Sequence, residues 1–281
     1  MAHDTIAGLD ALDLAAEAAP GGAGARAGRV WNAAWPKLAA IVIFLALWEI
    51  LYLAGWKSLI FPAPGTTLSD LGTQLSSGQL WQAIETTLGR ALGGFAIALV
   101  IGVVVGSLVS RIGALRQAVG SMLTGLQTMP SVAWIPFAII LFGSSTSTIG
   151  FVVVMASAPS IANALIAGVD YTPPLLVKAG RLMGLARLRL HWHVYLPSSL
   201  PTFVSGLKQA WAFTWHSLLT AELVVLIPNH PSLGILLDSD QQQADMPSTI
   251  AVMLVILILG VVVDGLFGLW NRSIQRRRGL E

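Results

Sequence analysis

The sequence predicts an all-α membrane protein with six transmembrane helices. Of its 281 residues, 55% are hydrophobic and only 11% are charged, whereas about a quarter of an average soluble domain is charged. Six apolar segments have the roughly 20-residue length that a helix needs to cross the hydrocarbon core of a bilayer. Ten tryptophans against three tyrosines are also typical of a protein with anchors at the membrane interface.

The apolar segments also predict the domain organisation. Residues 1–30, rich in Ala and Gly, are expected to form a mostly disordered tail. Residues 31–81 hold the first helix and an external loop, residues 82–271 hold a membrane domain, and residues 272–281 form a basic tail. The predicted spans are 37–55, 85–109, 118–142, 148–169, 200–226 and 249–270.

Two spans carry residues that change how a helix packs. In the second span, Gly102-x-x-x-Gly106 permits close approach of a neighbouring helix, although small residues are common in membrane helices. The third span is interrupted by Pro130 and Pro136. The backbone groups freed there must be satisfied by neighbouring helices or by a water-filled cavity.

Positive charges predict the orientation of the chain. With six spans, both termini lie on one side, together with the 111–116 turn and the 170–199 insert. This side holds 14 of the 16 Lys and Arg residues, with Lys37 and Lys208 counted at span ends. Positive charge accumulates in cytoplasmic loops, so the termini and the insert are predicted to be cytoplasmic, and the acidic loop 227–247 to be external.

The stretch 178–197 is the most basic internal part of the chain. Pro173 and Pro174 suit a helix start, and apolar residues then recur with helical spacing. Gly184 permits a tight turn, and Pro197 ends a second amphipathic helix before the fifth span. The residues therefore predict a short helical hairpin between spans four and five. A solvated loop that only sets the topology is the simpler alternative.

The spacing within this hairpin resembles the EAA signature of the transmembrane subunits of ATP-binding cassette (ABC) importers. That signature is Glu-Ala-Ala, three residues, Gly, nine residues, an aliphatic residue, one residue and Leu-Pro. Lys178 stands where the family often has Glu, and Gly180 replaces the second Ala. The resemblance spans roughly residues 82–271 and implies a type I permease domain there. The matching positions are Lys178, Ala179, Gly180, Gly184, Val194, Leu196 and Pro197.

The resemblance implies how the protein is driven. The hairpin acts as a coupling helix in a cleft of a separate ATPase subunit, with Arg187 and Arg189 as further contacts. The implied partners are two ATPase copies, a second permease copy forming a homodimer, an external solute-binding protein and membrane lipid. The chain has no G-x-x-x-x-G-K-[ST] phosphate loop. We therefore expect no cofactor on this chain, and ATP with Mg on the partner, in a bacterial inner membrane.

Within the family, the nitrate, sulfonate, taurine and bicarbonate permeases are the most similar. Residues 196–223 resemble theirs, as do Thr128, Pro130 and Pro136 in the third span. The implied solute is a small anion. Permeases for pyrimidine precursors share much of this pattern, so a pyrimidine-type or other small organic nutrient is the alternative.

Polar residues in the third and fifth spans are candidates for the solute path. Hydroxyl, amide and indole groups can donate hydrogen bonds to a small anion. Polar groups in membrane helices also join one helix to another, which is the competing interpretation. The candidates are Gln127, Thr128, Ser131, Trp134, Trp211, Thr214, Trp215 and Glu222.

Carboxylates inside membrane spans are costly and are functional candidates by default. Glu222 is predicted to gate or brace the outer end of the fifth span, and Asp264 lies near the end of the sixth. Glu49 is expected to pair with a neighbour. His216 is interpreted as a hydrogen-bonded packing residue rather than a ligand.

Other classes of protein fit the sequence less well. A secondary transporter needs broken helices in paired repeats, and no internal repeat is visible. An intramembrane enzyme needs a catalytic set, but the chain has no cysteine, no H-E-x-x-H and no metal-ligand cluster. The formal charge of +2 does not favour nucleic acid. A structural scaffold leaves the hairpin spacing to coincidence.

Overall fold

A computed structural model describes residues 23–55, 60–228 and 230–277, which are helical or irregular and contain no strand. The chain divides into two compact units, one ending at Pro64 and the other beginning at Gly65. Helix α1, Ala23–Leu53, begins inside the predicted tail. The rest of that predicted tail, residues 1–22, lies outside the described residues, as do the last four residues.

The first unit is built on α1. Most of its apolar side chains are exposed, as expected of a helix whose surface meets lipid. Trp48, in contrast, is buried. Its indole N–H donates to the Pro62 carbonyl at 3.0 Å. Its ring also contacts the edges of Phe44 and Phe61. The segment after α1 therefore folds back onto the helix.

The second unit contains the remaining helices. They are α2 Pro64–Ser77, α3 Gln79–Arg111, α4 Gly113–Thr128, a 3₁₀ turn Ser131–Trp134, α5 Ile135–Phe142, α6 Thr146–Asp170, α7 Pro174–Leu182, α8 Arg187–Leu190, a π-helical turn His191–Tyr195, α9 Leu196–Val224, α10 Leu233–Gln242 and α11 Met246–Arg277.

Helix α6 is the centre of the second unit, since it packs against both α3 and α9 along their length. Many of its apolar side chains are fully buried, including Ile149, Val152 and Ile161. Pro159 is accommodated within the helix. A helix that is apolar on all sides is stable where neighbours or lipid cover every face.

The glycines of α3 form a packing seam against α6, as the sequence predicts. A Cβ atom on Gly102 would lie 2.6 Å from Ile161 Cβ and 2.8 Å from the Ala158 carbonyl oxygen. A Cβ on Gly106 would lie 2.9 Å from the Ala162 carbonyl oxygen. Only glycine permits this separation of the two backbones.

The predicted third span is not straight. Residues 115–128 and 131–142 form two helices that meet at 101°. Met129, which precedes Pro130, has an extended backbone with ψ of 132°, because a proline disfavours helical geometry in the residue before it. The pair is either a broken span or a re-entrant segment.

The described residues contain four helices that are long and apolar enough to cross a membrane, or up to five if the bent pair is one span. They are Trp35–Leu53, Gln79–Arg111, Thr146–Asp170 and Met246–Trp270. Helix α9 has 29 residues but is too polar to join them by composition. The protein is an all-helical, multi-pass membrane protein, and the count of six spans stays a prediction.

A cluster of carboxylates joins α2, α10 and the start of α11. Ser248 Oγ lies 2.8 Å from a carboxylate oxygen of Asp70 and 2.8 Å from one of Asp245. Burial, followed by the charges of Asp245 and Asp70, raises the pKa of nearby Asp240 to about 6, while a hydrogen bond with Ser239 opposes the rise. In the folded chain, Asp240 is therefore mostly protonated below about pH 6.

This raised pKa predicts a pH-dependent stability. The contribution of Asp240 is fully present below its unfolded-state pKa, near 4, and is lost as pH rises through about 6. Asp240→Asn should therefore stabilise the folded chain more at about pH 8 than at about pH 5, and the free energies of unfolding gained should differ by on the order of 1 kcal/mol after solvent screening. Thermal unfolding of the detergent-solubilised protein measures this.

Asp238→Asn, on the same helix, is the matched control, because Asp238 is bonded to Gln242 rather than to the cluster. An identical pH profile for wild type and Asp240→Asn would contradict the repulsion between these carboxylates.

Candidate solute groove and docking hairpin

A buried ion pair closes one end of the helix bundle. Glu222 is fully buried, and its Oε1 accepts from Arg90 Nη1 at 2.9 Å. Its Oε2 accepts from the Thr87 hydroxyl at 2.9 Å and from the Gly234 N–H at 3.3 Å. Thr87 Oγ1 in turn accepts from the Leu233 N–H at 3.0 Å. We call Arg90, Glu222 and Thr87 the brace.

The brace joins α3 and α9 to the first residues of α10. The N–H groups at a helix start have no partner within the helix and favour negative charge. Gly234 allows the approach, since a Cβ there would lie 2.4 Å from Glu222 Cβ. Glu222, predicted both as a path residue and as a brace, is held by three donors. The intramembrane Arg90 is its counter-charge.

Removing one partner of the brace should be strongly destabilising. Glu222→Ala leaves the Arg90 guanidinium buried without a counter-charge, which typically costs about 3–5 kcal/mol. The double variant Arg90→Met, Glu222→Leu should recover most of the loss, because no charge then remains buried. Thermal unfolding of the purified variants measures both.

Asp170→Asn is the control for this pair. Its partner Arg116 is partly exposed, and exposed ion pairs contribute about 0–1 kcal/mol. If Glu222→Ala were no more destabilising than Asp170→Asn, the brace would not be a stabilising element.

A groove of about 550 Å³ lies between α9 and α11. Its walls include Trp211, Trp215, His216 and Asp264. The two indole rings stack with centroids 6.4 Å apart, and the Trp211 N–H is buried without a hydrogen-bond partner. Gly260 gives Trp215 its space, since a Cβ there would lie 3.3 Å from Trp215 Nε1. The groove is thus mainly apolar, with an unused donor in its wall.

An ion pair stands beside this groove. Lys208 Nζ lies 3.0 Å from Asp264 Oδ2, with side-chain exposures of 44% and 56%. Lys208 is twelve residues after the first residue of α9, about 18 Å along the axis, and thus not at a span end. A charged residue at the centre of a membrane helix costs about 2.5–3.5 kcal/mol when it faces lipid. This face of α9 therefore meets water or another protein.

The predicted path residues divide into three places. Trp211 and Trp215 line the groove, whereas Glu222 belongs to the brace. Trp134 packs on the core cluster that contains both indoles, and Thr214 is fully buried with its hydroxyl bonded to the Ala210 carbonyl.

The remaining path candidates lie on α4 and the turn after it. Gln127 joins α4 to α6, because its side chain bonds Ser160 at 3.4 Å and Asn163 at 3.0 Å. Thr128 is exposed and donates to the Gly125 carbonyl. Ser131 is half-buried in the 3₁₀ turn. Solute contact by these residues stays a prediction.

Sequence analysis missed His216 and Asp264 as groove residues, and Lys208 as the partner of Asp264 beside the groove. The available signal was a cation in the fifth span and a carboxylate in the sixth, which can compensate each other in a membrane. Counting Lys208 as an interfacial charge concealed this pairing. Glu49 is half-buried on α1, and no ion pair involving it is seen among the described residues.

The hairpin consists of α7, a turn at Gly184, and α8 with the π-helical turn. The Leu185 N–H donates to the Gly180 carbonyl and the Gly184 N–H to the Arg181 carbonyl, both at 3.0 Å. This is the Schellman termination of a helix, which needs a left-handed residue, and Gly184 supplies it with φ of +79°. The signature glycine is therefore explained by backbone geometry.

Gly180, which replaces the second Ala of the EAA signature, lies at a close contact within the hairpin. A Cβ on Gly180 would lie 2.7 Å from Leu190 Cδ1 and 3.0 Å from Val194 Cγ2. The second arm of the hairpin thus packs directly on the α7 backbone. An alanine at this position would require the Leu190 and Val194 side chains to shift.

The outer surface of the hairpin is apolar and uncovered. Leu182 is 90% exposed and Met183 is 80% exposed, an arrangement typical of a surface that binds another protein. The docking residues predicted from the sequence, apart from the two glycines, differ in exposure. Val194 and Leu196 are half-buried, and the exposed ones are Lys178, Ala179, Arg189 and Pro197. The side chain of Arg187 lies outside the described part of the structure.

Comparison with known proteins now identifies the family. Residues 98–276 match the family described as the binding-protein-dependent transport system inner membrane component. The chain belongs to this family. It is the permease subunit of an ABC importer, as the resemblance of the hairpin implies.

Named relatives within this group transport different solutes. The chain is 28% identical over 247 residues to a riboflavin permease of Chloroflexus aurantiacus, covering 86% of this chain and 91% of that one. It is 25% identical over 241 residues to the taurine permease of Escherichia coli, covering 84% and 85%. It is 24% identical over 241 residues to a bicarbonate permease of Synechocystis, covering 82% and 84%.

Solved structures agree with the fold of the permease. An inward-facing methionine ABC transporter matches with a TM-score of 0.59 at 21% identity, covering 71% of this chain and 95% of that one. An alginate ABC transporter matches with a TM-score of 0.62 at 12% identity, covering 89% and 99%.

Among the described residues, no group of three or more acidic or histidine side chains is placed to hold a metal ion.

Proposed function

We propose that this permease imports a small anion, with a sulfonate or bicarbonate as the solute class. The observation that carries the proposal is the half-exposed Lys208–Asp264 pair beside the α9–α11 groove. Relatives named for taurine and bicarbonate support the same class. The permease itself is non-catalytic in this proposal, and ATP with Mg is bound by the partner.

The proposed assembly contains two permease copies, two ATPase subunits and an external binding protein. Each permease has six spans, with both termini and the hairpin in the cytoplasm. The exposed face of α9 that carries Lys208 then lies along a water-filled path at the permease pair. The uncovered Leu182 and Met183 fit into the ATPase, so closure of the two ATPases moves the hairpins.

The side chains in and beside the groove support binding of an anion. Lys208 offers an ammonium whose charge is only partly compensated, because exposed ion pairs are weak. The unpaired Trp211 N–H is a donor without a competing acceptor. Asp264 limits the affinity, because an anion must compete with it for Lys208. A transport site must release its solute, and this competition serves that need.

The riboflavin relative and the stacked indoles favour one alternative, a neutral aromatic nutrient. Offset or stacked rings bind aromatic solutes through their faces. In that case the indoles rather than Lys208 determine the affinity.

Substitution of Lys208 distinguishes these solutes. In proteoliposomes with the ATPase and the binding protein, Lys208→Gln should raise the KM for taurine or bicarbonate about tenfold, which is the effect of ~1.4 kcal/mol. Uptake of riboflavin should not respond to this change. Lys37→Gln on α1 is the control for loss of one positive charge. Equal KM values for anions in both variants would exclude Lys208 from the solute path.

The docking surface is tested with an exposed residue, so that the fold is kept. Leu182→Asp should reduce co-purification of the ATPase at least tenfold, since a charge is placed in an apolar contact. Leu68→Asp, on the exposed face of α2, is the matched control. Retention of the ATPase by Leu182→Asp, together with normal uptake, would refute docking through this surface.

A further inference from the structure

A second, larger cavity of about 1230 Å³ lies behind the hairpin. It is bounded by the α3–α4 junction, by the end of α6 and by the inner side of the hairpin. Its basic lining residues are Arg111, Arg116, Lys178, Arg181 and His191. It is separate from the α9–α11 groove and shares no residue with it.

Most of the positive charge around this cavity is uncompensated. Arg116 is paired with Asp170, which also lines the cavity. Within the described part of the chain, no ion pair involves Arg111, Lys178 or Arg181. Arg111 instead lies over the Trp192 ring, 5.9 Å from its centroid. Clustered cations of this kind raise the local concentration of anions.

His191 provides an independent sign of a ligand. It is only 5% exposed and lines the cavity, yet its Nε2 has no hydrogen-bond partner. Buried polar atoms are almost always paired. Burial, and then the Arg111 guanidinium, lower the pKa of His191, so the ring is neutral at physiological pH. A neutral imidazole protonated at Nε2 donates one hydrogen bond.

We propose that this cavity binds a phosphate-type oxyanion, either a free anion or the headgroup of an anionic lipid. Arg111 and Arg181 supply planar guanidinium groups suited to oxyanions. Lys178 adds a point charge, and His191 Nε2 adds the buried donor. Basic pockets at the edge of membrane helices are suited to lipid phosphates.

The bound anion would connect the hairpin to the membrane domain. Lys178 and Arg181 belong to α7, whereas Arg111 ends α3. An anion between them offsets the repulsion of these cations and fixes the distance from hairpin to α3. The apolar tip at Leu182 and Met183 points to a different surface and stays free for the ATPase.

Inorganic phosphate is the first probe. It is titrated against the full-length permease in neutral detergent, with chloride held at constant ionic strength, and binding is followed by phosphorus NMR. Lys178→Gln and Arg181→Gln should each weaken binding about tenfold, since charged hydrogen bonds are the strongest ones lost. Both residues are exposed, so neither change removes a packed side chain. Arg189→Gln, on the same hairpin but outside the cavity, should leave phosphate affinity unchanged.

Nanodiscs then separate the two sources of the anion. Phosphate affinity that is equal in phosphatidylcholine discs with or without phosphatidylglycerol assigns a free anion. A lipid headgroup is assigned by two results together. Phosphate binding is lost in phosphatidylglycerol discs, and native mass spectrometry finds that lipid on the wild type but not on Arg181→Gln.

Two results would overturn the proposal. The first is equal phosphate affinity in the Lys178→Gln, Arg181→Gln and Arg189→Gln proteins. The second is loss of phosphate binding whenever the ATPase subunit is bound, which would assign the cavity to acidic side chains of that partner. A His191→Leu variant with a normal elution profile should also bind phosphate more weakly, because it removes the buried donor without removing a cation.

Discussion

The rest of the second unit depends on the Arg90–Glu222 pair. Neither charge is tolerable alone inside a helix bundle, because an unpaired buried ion is among the most destabilising features a fold can contain. Together, and with Thr87, they place the start of α10 against α3 and α9. The polar end of the bundle is therefore fixed by hydrogen bonds, while the α3–α6 seam is fixed by shape at Gly102 and Gly106.

The bundle separates three tasks along one chain. The brace holds one end together. The groove between α9 and α11 has a buried donor in its wall and the Lys208–Asp264 pair beside it. The hairpin presents an apolar tip. Helix α9 takes part in the first two and is continuous with the third. Helix α9 is too polar to count as a membrane span by composition. Its polar residues are either buried against other helices or lie on the exposed face that carries Lys208.

Sequence patterns predicted the features that depend on local geometry. The turn at Gly184 and the close approach at Gly102 follow from the absence of a side chain, which is visible in any sequence. The pairings Arg90–Glu222 and Lys208–Asp264 join residues more than fifty positions apart, and no local pattern encodes them. The 101° bend was predicted only as a proline interruption. Its angle depends on contacts with α6, which no local pattern encodes.

The helical backbone runs without interruption from Arg187 through the π-helical turn to Val224, a distance of about 57 Å at 1.5 Å per residue. This continuous helical run carries the hairpin at one end and Glu222 near the other. The π turn, which holds an extra residue, and Pro201 inside α9 are the two points at which this run can bend most easily. In the proposed mechanism, a movement of the hairpin therefore tilts this helical run or bends it at one of these points, and the groove wall that the run forms moves with it.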